Sequence, residues 1–262
     1  MRTLLVALTA VLLTPPFAAA VVIAALLRVP DGPESIFGRI PRMWSRALLW
    51  AGGVRVRVHG LERISAMPTG VVFASNHVSW YDVFALAGTL PRYSFVAKAE
   101  LLRIPIFGRG ARAVGTIPIE RENRKSAFAS YESAAASIRA GRAVVVFPEG
   151  TRGRSYAIRP FKKGPFVLAI AAGVPIVPIV VHGTLPIMPK GAWRIRPGVV
   201  DLHLLEPVPT AGLTYEDRDG LAQAVRRRME DQLASEYGVA RAPDAAPDVA
   251  PPDTVLASER SC

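Results

Sequence analysis

The stretch Val71-Val72-Phe73-Ala74-Ser75-Asn76-His77-Val78-Ser79-Trp80-Tyr81-Asp82 decides the fold. Its four leading apolar residues are too few for a helix and end in polar ones, so they predict a short strand, Val71–Ala74. Ser79 then reads as a helix N-cap, with Asp82 at the third helical position. A helix therefore starts at about Trp80, and His77 lies in the loop just before it.

The same alternation continues on either side. Strands are predicted at Val54–His59, Ser94–Ala97, Thr116–Ile119, Ala143–Phe147, Ile176–Val181 and Val199–Leu205. Helices are predicted at Trp80–Gly88, Pro105–Ala113, Arg124–Ala140, Phe166–Ala172 and Tyr215–Tyr237. Val144-Val145-Val146-Phe147 is apolar on both faces, as in a covered sheet. Strands alternating with helices predict an α/β fold with a mixed, largely parallel sheet flanked by helices. The prolines of Val174-Pro175-Ile176-Val177-Pro178 predict a sheet edge or an irregular strand entry.

Three regions follow: 1–52, two N-terminal membrane-anchoring or interfacial helices; 53–238, the α/β domain; and 239–262, a tail. The tail is rich in proline and acids, carries few large apolar groups, and is expected to be disordered. Leu4 to Leu27 carries no charge and is long enough for a bilayer core. Pro15 and Pro16 are expected to kink or break it, giving a kinked span or a re-entrant pair of half-helices. A rival reading is a leader cleaved after Ala18-Ala19-Ala20.

Ile36, Phe37, Ile40, Met43, Trp44, Ala47 and Leu48 then recur at helical spacing, with Arg39, Arg42 and Arg46 off that stripe. A basic helix with such a face suits the plane of a membrane surface, or packs on its own domain. Arginines just after the apolar segment place the remainder on the cytoplasmic side of the cell membrane if the segment spans.

A net charge of +11 in a chain that is 50% hydrophobic points to an anionic partner at a lipid surface. The basic residues are scattered, and no nucleic-acid-binding signature occurs, so no nucleic acid is expected. The one cysteine is Cys262, which excludes an internal disulfide, and no Cys/His spacing predicts a metal site.

Two readings stand for His77 and Asp82. A carboxylate on one imidazole nitrogen leaves the other free as a base; alternatively, Asp82 only completes the cap at Ser79. No internal cysteine and no Gly-x-Ser-x-Gly elbow offers a nucleophile, so a base here suits direct attack by a substrate hydroxyl. In Phe147-Pro148-Glu149-Gly150-Thr151-Arg152, Pro148 and Gly150 end a strand and project Glu149 and Arg152, as a phosphate site or as a solvated basic turn. Gly115-Thr116-Ile117-Pro118-Ile119-Glu120-Arg121 delivers a charged pair at a strand end, to bind substrate or form a surface bridge.

These four blocks, in this order across roughly Val54 to Leu205, resemble the glycerolipid acyltransferases, most closely the 1-acylglycerol-3-phosphate acyltransferases. Lys98-Ala99-Glu100-Leu101 and Phe161-Lys162-Lys163-Gly164 also look like features of that family. The resemblance implies a glycerol-3-phosphate acyltransferase-like fold. It implies transfer of a fatty acyl group from acyl-CoA or acyl carrier protein to the free hydroxyl of lysophosphatidic acid, in phospholipid biosynthesis, with no metal or redox cofactor.

By the same resemblance His77 would be the general base and Asp82 its orienting partner. Lys98, Gly115, Arg121, Glu149, Gly150, Thr151 and Arg152 would bind substrate, Arg121 and Arg152 through phosphate. Pro118 and Gly153 depart from the family's usual residues and bear on pocket shape. Rival readings are the same chemistry on glycerol 3-phosphate or another lysolipid such as a lyso-ornithine lipid, a thioester hydrolase, and a non-catalytic lipid-binding protein.

Overall fold

The structure, a computed structural model, describes residues 1–32, 35–65, 70–91, 93–119 and 134–241. Two helices lead, α1 (Arg2–Leu26) and α2 (Ile36–Gly52). Then come β1 (Val54–His59), α3 (Glu62–Ser65), β2 (Val71–Ser75), α4 (Trp80–Thr89), β3 (Ser94–Lys98), a 3-10 turn (Ala99–Arg103), α5 (Phe107–Ala113) and β4 (Ile117–Ile119). Helical residues 134–139 (α6) precede β5 (Ala143–Val146). The chain continues through α7 (Gly164–Ala172), β6 (Ile176–His182), β7 (Gly198–Leu204), a 3-10 turn (Tyr215–Asp217) and α8 (Arg218–Tyr237). Most of the expected helix Arg124–Ala140, and the tail from 242, lie outside the described residues.

Seven strands form one sheet in the order β1-β7-β6-β2-β5-β3-β4. Every neighbouring pair is parallel except β6 and β7, so the sheet is mixed and largely parallel. All of β2 and β5 is buried, because helices cover both faces. Val72, Val144 and Val146 pack with Ile138 of α6, Phe166 and Leu168 of α7, and Val225 and Met229 of α8. Their sequence neighbours Phe73 and Val145 face the other way, onto Leu49 of α2 and Tyr81, Ala85 and Leu86 of α4. Strand alternation thus builds two apolar layers, with each large side chain contributing roughly 1.5–3 kcal/mol when fully buried.

Pro178 sits in a central strand, not at an edge. Its carbonyl accepts Leu205 N–H at 2.9 Å, just past the end of β7. The proline nitrogen therefore also faces the side where β7 has ended, and the β2 ladder loses no donor.

α1 runs unbroken through Pro15 and Pro16, so the expected break into two half-helices does not occur. The proline pair is braced from two sides. Trp44 Nε1 of α2 donates to Thr14 Oγ1 at 3.1 Å, and Ala18 of α1 lies against Gly110 of α5. Tertiary packing here overrides local propensity.

α2 buries Ser45, Leu48, Leu49 and Ala51, while Met43 and Trp50 are exposed, so Met43 leaves the expected apolar stripe. Two of the off-stripe arginines turn onto the domain. Arg46 Nε donates to Gly88 O at 2.8 Å, and Arg42 donates to Pro91 O. They hold α2 against the C-terminal end of α4.

The α2–α4 contact is tight at Gly52. A Cβ there would lie 2.5 Å from Tyr81 Oη. Tyr81 is fully buried, and its hydroxyl has no hydrogen-bond partner among the described residues. Gly52→Ala is expected to lower stability by about 1–3 kcal/mol in denaturant melts. Adding Tyr81→Phe should recover part of the loss, because it removes both the obstruction and an unsatisfied polar group. An unchanged midpoint for Gly52→Ala would contradict this packing.

Candidate active site

The sheet gathers the candidate residues at the C-terminal ends of three adjacent strands, β2, β5 and β3, where open α/β sheets carry their clefts. Asn76 leaves β2 but keeps its geometry. Its side-chain amide accepts Val181 N–H at 2.8 Å and donates to Val181 O at 2.9 Å. This buried clamp fixes the start of the loop against β6.

Ser79 caps α4, its hydroxyl accepting Tyr81 N–H at 3.1 Å and donating to Met188 O at 2.7 Å. Asp82 reaches back over the cap. Its Oδ2 accepts Ser79 N–H at 2.8 Å, Val78 N–H at 2.6 Å and His77 Nδ1–H at 2.8 Å. Asp82 thus both completes the cap and holds the imidazole. A carboxylate oxygen only accepts, so the proton sits on His77 Nδ1 and the lone pair on Nε2.

Asp82 is completely buried, whereas the His77 side chain retains 14% exposure. The imidazole stacks on Phe147 at 3.9 Å between ring centres, which sets its tilt.

Glu149 lies beneath. Phe147-Pro148-Glu149-Gly150 turns sharply, Gly150 N–H donating to Phe147 O at 3.0 Å. Gly150 has φ +77, a left-handed conformation that glycine adopts without a Cβ penalty. The turn sends the Glu149 side chain inward, where Oε1 accepts His77 N–H at 2.9 Å and Oε2 accepts Arg159 N–H at 3.3 Å. Burial pushes its carboxyl up to about 7, against the pull of those two backbone donors. Gly153 N–H donates to His77 O at 2.7 Å, so the loop after β5 grips His77 from both sides.

His77, Trp80, Phe147, Gly150, Thr151 and Arg152 line one pocket of about 360 Å³. Arg152 lies over the Trp80 ring, 5.1 Å from its centre, a cation–π contact that holds the guanidinium at the rim. Val83, Phe95, Phe107, Ala111 and Thr116 line this pocket and also a second, almost wholly apolar one between α1, α2, α4 and α5.

The remaining expected residues are placed differently. Lys98 ends β3, and Arg121 lies outside the described residues. Gly115 forms the turn after α5 beside Arg142 and is not among the pocket's lining residues. Three neighbours were not anticipated. Thr184 Oγ1 donates to Asp82 Oδ1 at 2.5 Å, Tyr156 braces the Thr184 loop, and Lys190 Nζ donates to Thr151 Oγ1 at 3.4 Å. They lie 102, 27 and 39 positions from the residues they serve, in loops without periodicity, so nothing local marks them. Among the described residues no His, Cys, Asp and Glu cluster could hold a metal ion.

Residues 55–182 match a protein-family model described as Acyltransferase. The chain is 36% identical to human 1-acyl-sn-glycerol-3-phosphate acyltransferase alpha over 193 residues, 73% of this chain and 68% of that protein. It is 33% identical to a chloroplastic 1-acyl-sn-glycerol-3-phosphate acyltransferase of Brassica napus over 60% of this chain, but spans 45% of that relative's length. Its fold is similar to the crystal structure of the LPA acyltransferase PlsC from Thermotoga maritima. The TM-score is 0.75 at 23% identity, covering 91% of this chain and 97% of that one.

The Glu149 carboxyl makes stability depend on pH. Its value is raised on folding from 4.5 to about 7. Its contribution is therefore complete below 4.5 and is lost as pH rises through about 7, on the order of 3 kcal/mol in all. Thermal midpoints of the protein are expected to fall more steeply between about pH 4.5 and 7 than those of Glu149→Gln. Parallel curves would place the Glu149 titration at its ordinary value.

Proposed function

The chain belongs to the acyltransferase family, and on that premise we propose that it transfers a fatty acyl group from an acyl thioester to the free hydroxyl of lysophosphatidic acid, giving phosphatidic acid. The observation that carries the reading is His77 held at 2.8 Å by the buried Asp82 while it lines the same pocket as Arg152. A base and a cation in one cleft suit an acceptor with both a hydroxyl and a phosphate.

In this reading the acceptor hydroxyl attacks the thioester carbonyl as His77 Nε2 takes its proton. The C–O bond forms, the C–S bond breaks, and the leaving thiolate takes the proton back from His77. Asp82 keeps the imidazole in the productive tautomer and stabilises its charged form. Ser75 and Ser79, the hydroxyls nearest in sequence, are buried with their protons committed to Asn76 O and Met188 O. That supports a substrate hydroxyl rather than a side chain as the nucleophile. Arg152 holds the acceptor phosphate, and the adjoining apolar pocket between α1, α2, α4 and α5 takes a hydrocarbon chain.

The same reading explains the N-terminus. α1 is long and apolar enough to cross a membrane and exposes Leu4, Leu8, Val11, Leu12, Ile23 and Leu26. Met43 and Trp50 of α2 are exposed as well, and α1 and α2 both line the apolar pocket. Immersed in one leaflet, these side chains bring the pocket to the depth of its lipid substrates, with the α/β domain on the cytoplasmic side.

The test is thiol release from palmitoyl-coenzyme A by membranes containing the protein, with and without lysophosphatidic acid, for wild type and His77→Ala. Release that needs the lysolipid, yields phosphatidic acid and falls at least about 100-fold in the variant is expected. Release that ignores the lysolipid would make the protein a thioester hydrolase. Lysolipid-dependent release unaffected by His77→Ala would overturn the assignment of the base.

A further inference from the structure

Asp82 has a second oxygen that the cap and the imidazole do not use. That oxygen, Oδ1, accepts a 2.5 Å hydrogen bond from Thr184 Oγ1. Thr184 is fully buried and lies in the loop after β6, two residues beyond its last strand residue His182. A threonine hydroxyl has a single proton, and here it goes to Asp82.

Tyr156 completes the set. Its Oη accepts Gly183 N–H at 2.7 Å and Leu185 N–H at 2.9 Å, the two backbone donors that flank Thr184. Both acceptor positions of the phenol are thereby filled, and the two bonds hold Thr184 between them. One proton order satisfies the groups around Asp82: Thr184 O–H to Asp82 Oδ1 and His77 Nδ1–H to Asp82 Oδ2.

We propose that Thr184 and Tyr156 are positioning residues of the active site, a relay in which Tyr156 holds the Thr184 loop and Thr184 locks the far oxygen of Asp82, and thereby fixes the orientation and basicity of His77. The kinetic arm of its test rests on the acyl-transfer reading above; the geometry does not.

Physical chemistry gives the relay its effect. A completely buried carboxylate stays charged only if its lone pairs are satisfied. Each donor also spreads the charge and weakens the hold of the other oxygen on its partner. Without Thr184, Asp82 would bind the imidazole proton more strongly and could swing about its side-chain bond. Tyr156 is in turn wedged in place, its ring 4.3 Å from His182, which stacks on Tyr237 at 3.7 Å. The relay also ties together three segments far apart in sequence: the loop after β5, the loop after β6, and the cap of α4.

The test uses Thr184→Val, which keeps shape and removes the hydroxyl, with Thr184→Ser and Tyr156→Phe beside it. Folding is checked by thermal melts in the same detergent. For Thr184→Val, kcat is expected to fall roughly 10–100-fold with KM for donor and acceptor little changed, as when other orienting partners are removed. The acid limb of its pH–rate profile should move to higher pH. Thr184→Ser should restore most of both, and Tyr156→Phe should show a smaller change in the same direction. Glu149, Tyr156 and His182 also titrate near this site, so the limb is compared between variants that leave Glu149 and His182 intact.

Independently of any substrate, the downfield Nδ1–H proton resonance of His77 in histidine-labelled protein should shift between wild type and Thr184→Val. A protein without acyl-transfer activity would remove the functional reading, while a resonance that moves would leave the relay standing. An unmoved resonance, unchanged kcat and pH profile in Thr184→Val, or equal losses in the valine and serine variants of a folded protein would overturn the relay.

Discussion

A charged carboxylate with no exposure to water organises this molecule. Moving such a group out of water costs several kcal/mol unless its lone pairs find donors. Asp82 finds four: the imidazole of His77, the backbone of Val78 and Ser79, and the hydroxyl of Thr184. Three come from the loop that enters its own helix, and one comes from the loop after the neighbouring strand β6. The fold must therefore bring the end of β6 to the cap of α4 before Asp82 can be accommodated. That coupling makes the site a product of the whole sheet.

The sheet provides this by parallel order. β2 lies between β5 and β6, so the residues that leave all three strands at one end converge. Asn76 clamps the β2 exit to Val181, and Glu149 clamps the β5 exit to the backbone of His77. Both clamps use buried polar groups with good partners, an arrangement that rigidifies a site without a metal or a disulfide. The helices serve the same end. α4 contributes the cap, and α2, pinned by Arg46 to Gly88 O, closes the apolar pocket with α1 and α5.

Much of this was legible in the sequence because it is local. Short apolar runs bounded by Gly, Pro and Asn gave all seven strands to within a residue or two, and Ser79 with Asp82 marked the start of α4. Where local rules met tertiary contacts they failed. Pro178 argued for an edge, yet the strand is central because β7 stops where the missing N–H would have pointed. Pro15 and Pro16 argued for a break, yet α2 and α5 brace the helix across them. The arginines of α2 suited either a membrane surface or the domain itself, and Arg42 and Arg46 take the second role, reaching the carbonyls at the end of α4. At the site, His77, Gly150, Thr151 and Arg152, which come from two separate motifs, line one pocket. Thr184 and Tyr156 were invisible, since a hydroxyl in an aperiodic loop carries no local signal of what it touches. Gly115 entered by its place in a motif, and in the structure it forms the turn after α5 beside Arg142.

The central claim is that the buried carboxylate makes His77 a base, and Asp82→Asn tests it most directly. The amide keeps size and shape but no longer holds a proton on His77 Nδ1 with a full charge. With folding verified, kcat for acyl transfer should fall about 10³–10⁴-fold while binding of both substrates is nearly unchanged, the loss seen when an acid that orients a catalytic imidazole becomes an amide. A folded Asp82→Asn protein with kcat near that of the wild type would show that Asp82 serves only the helix cap.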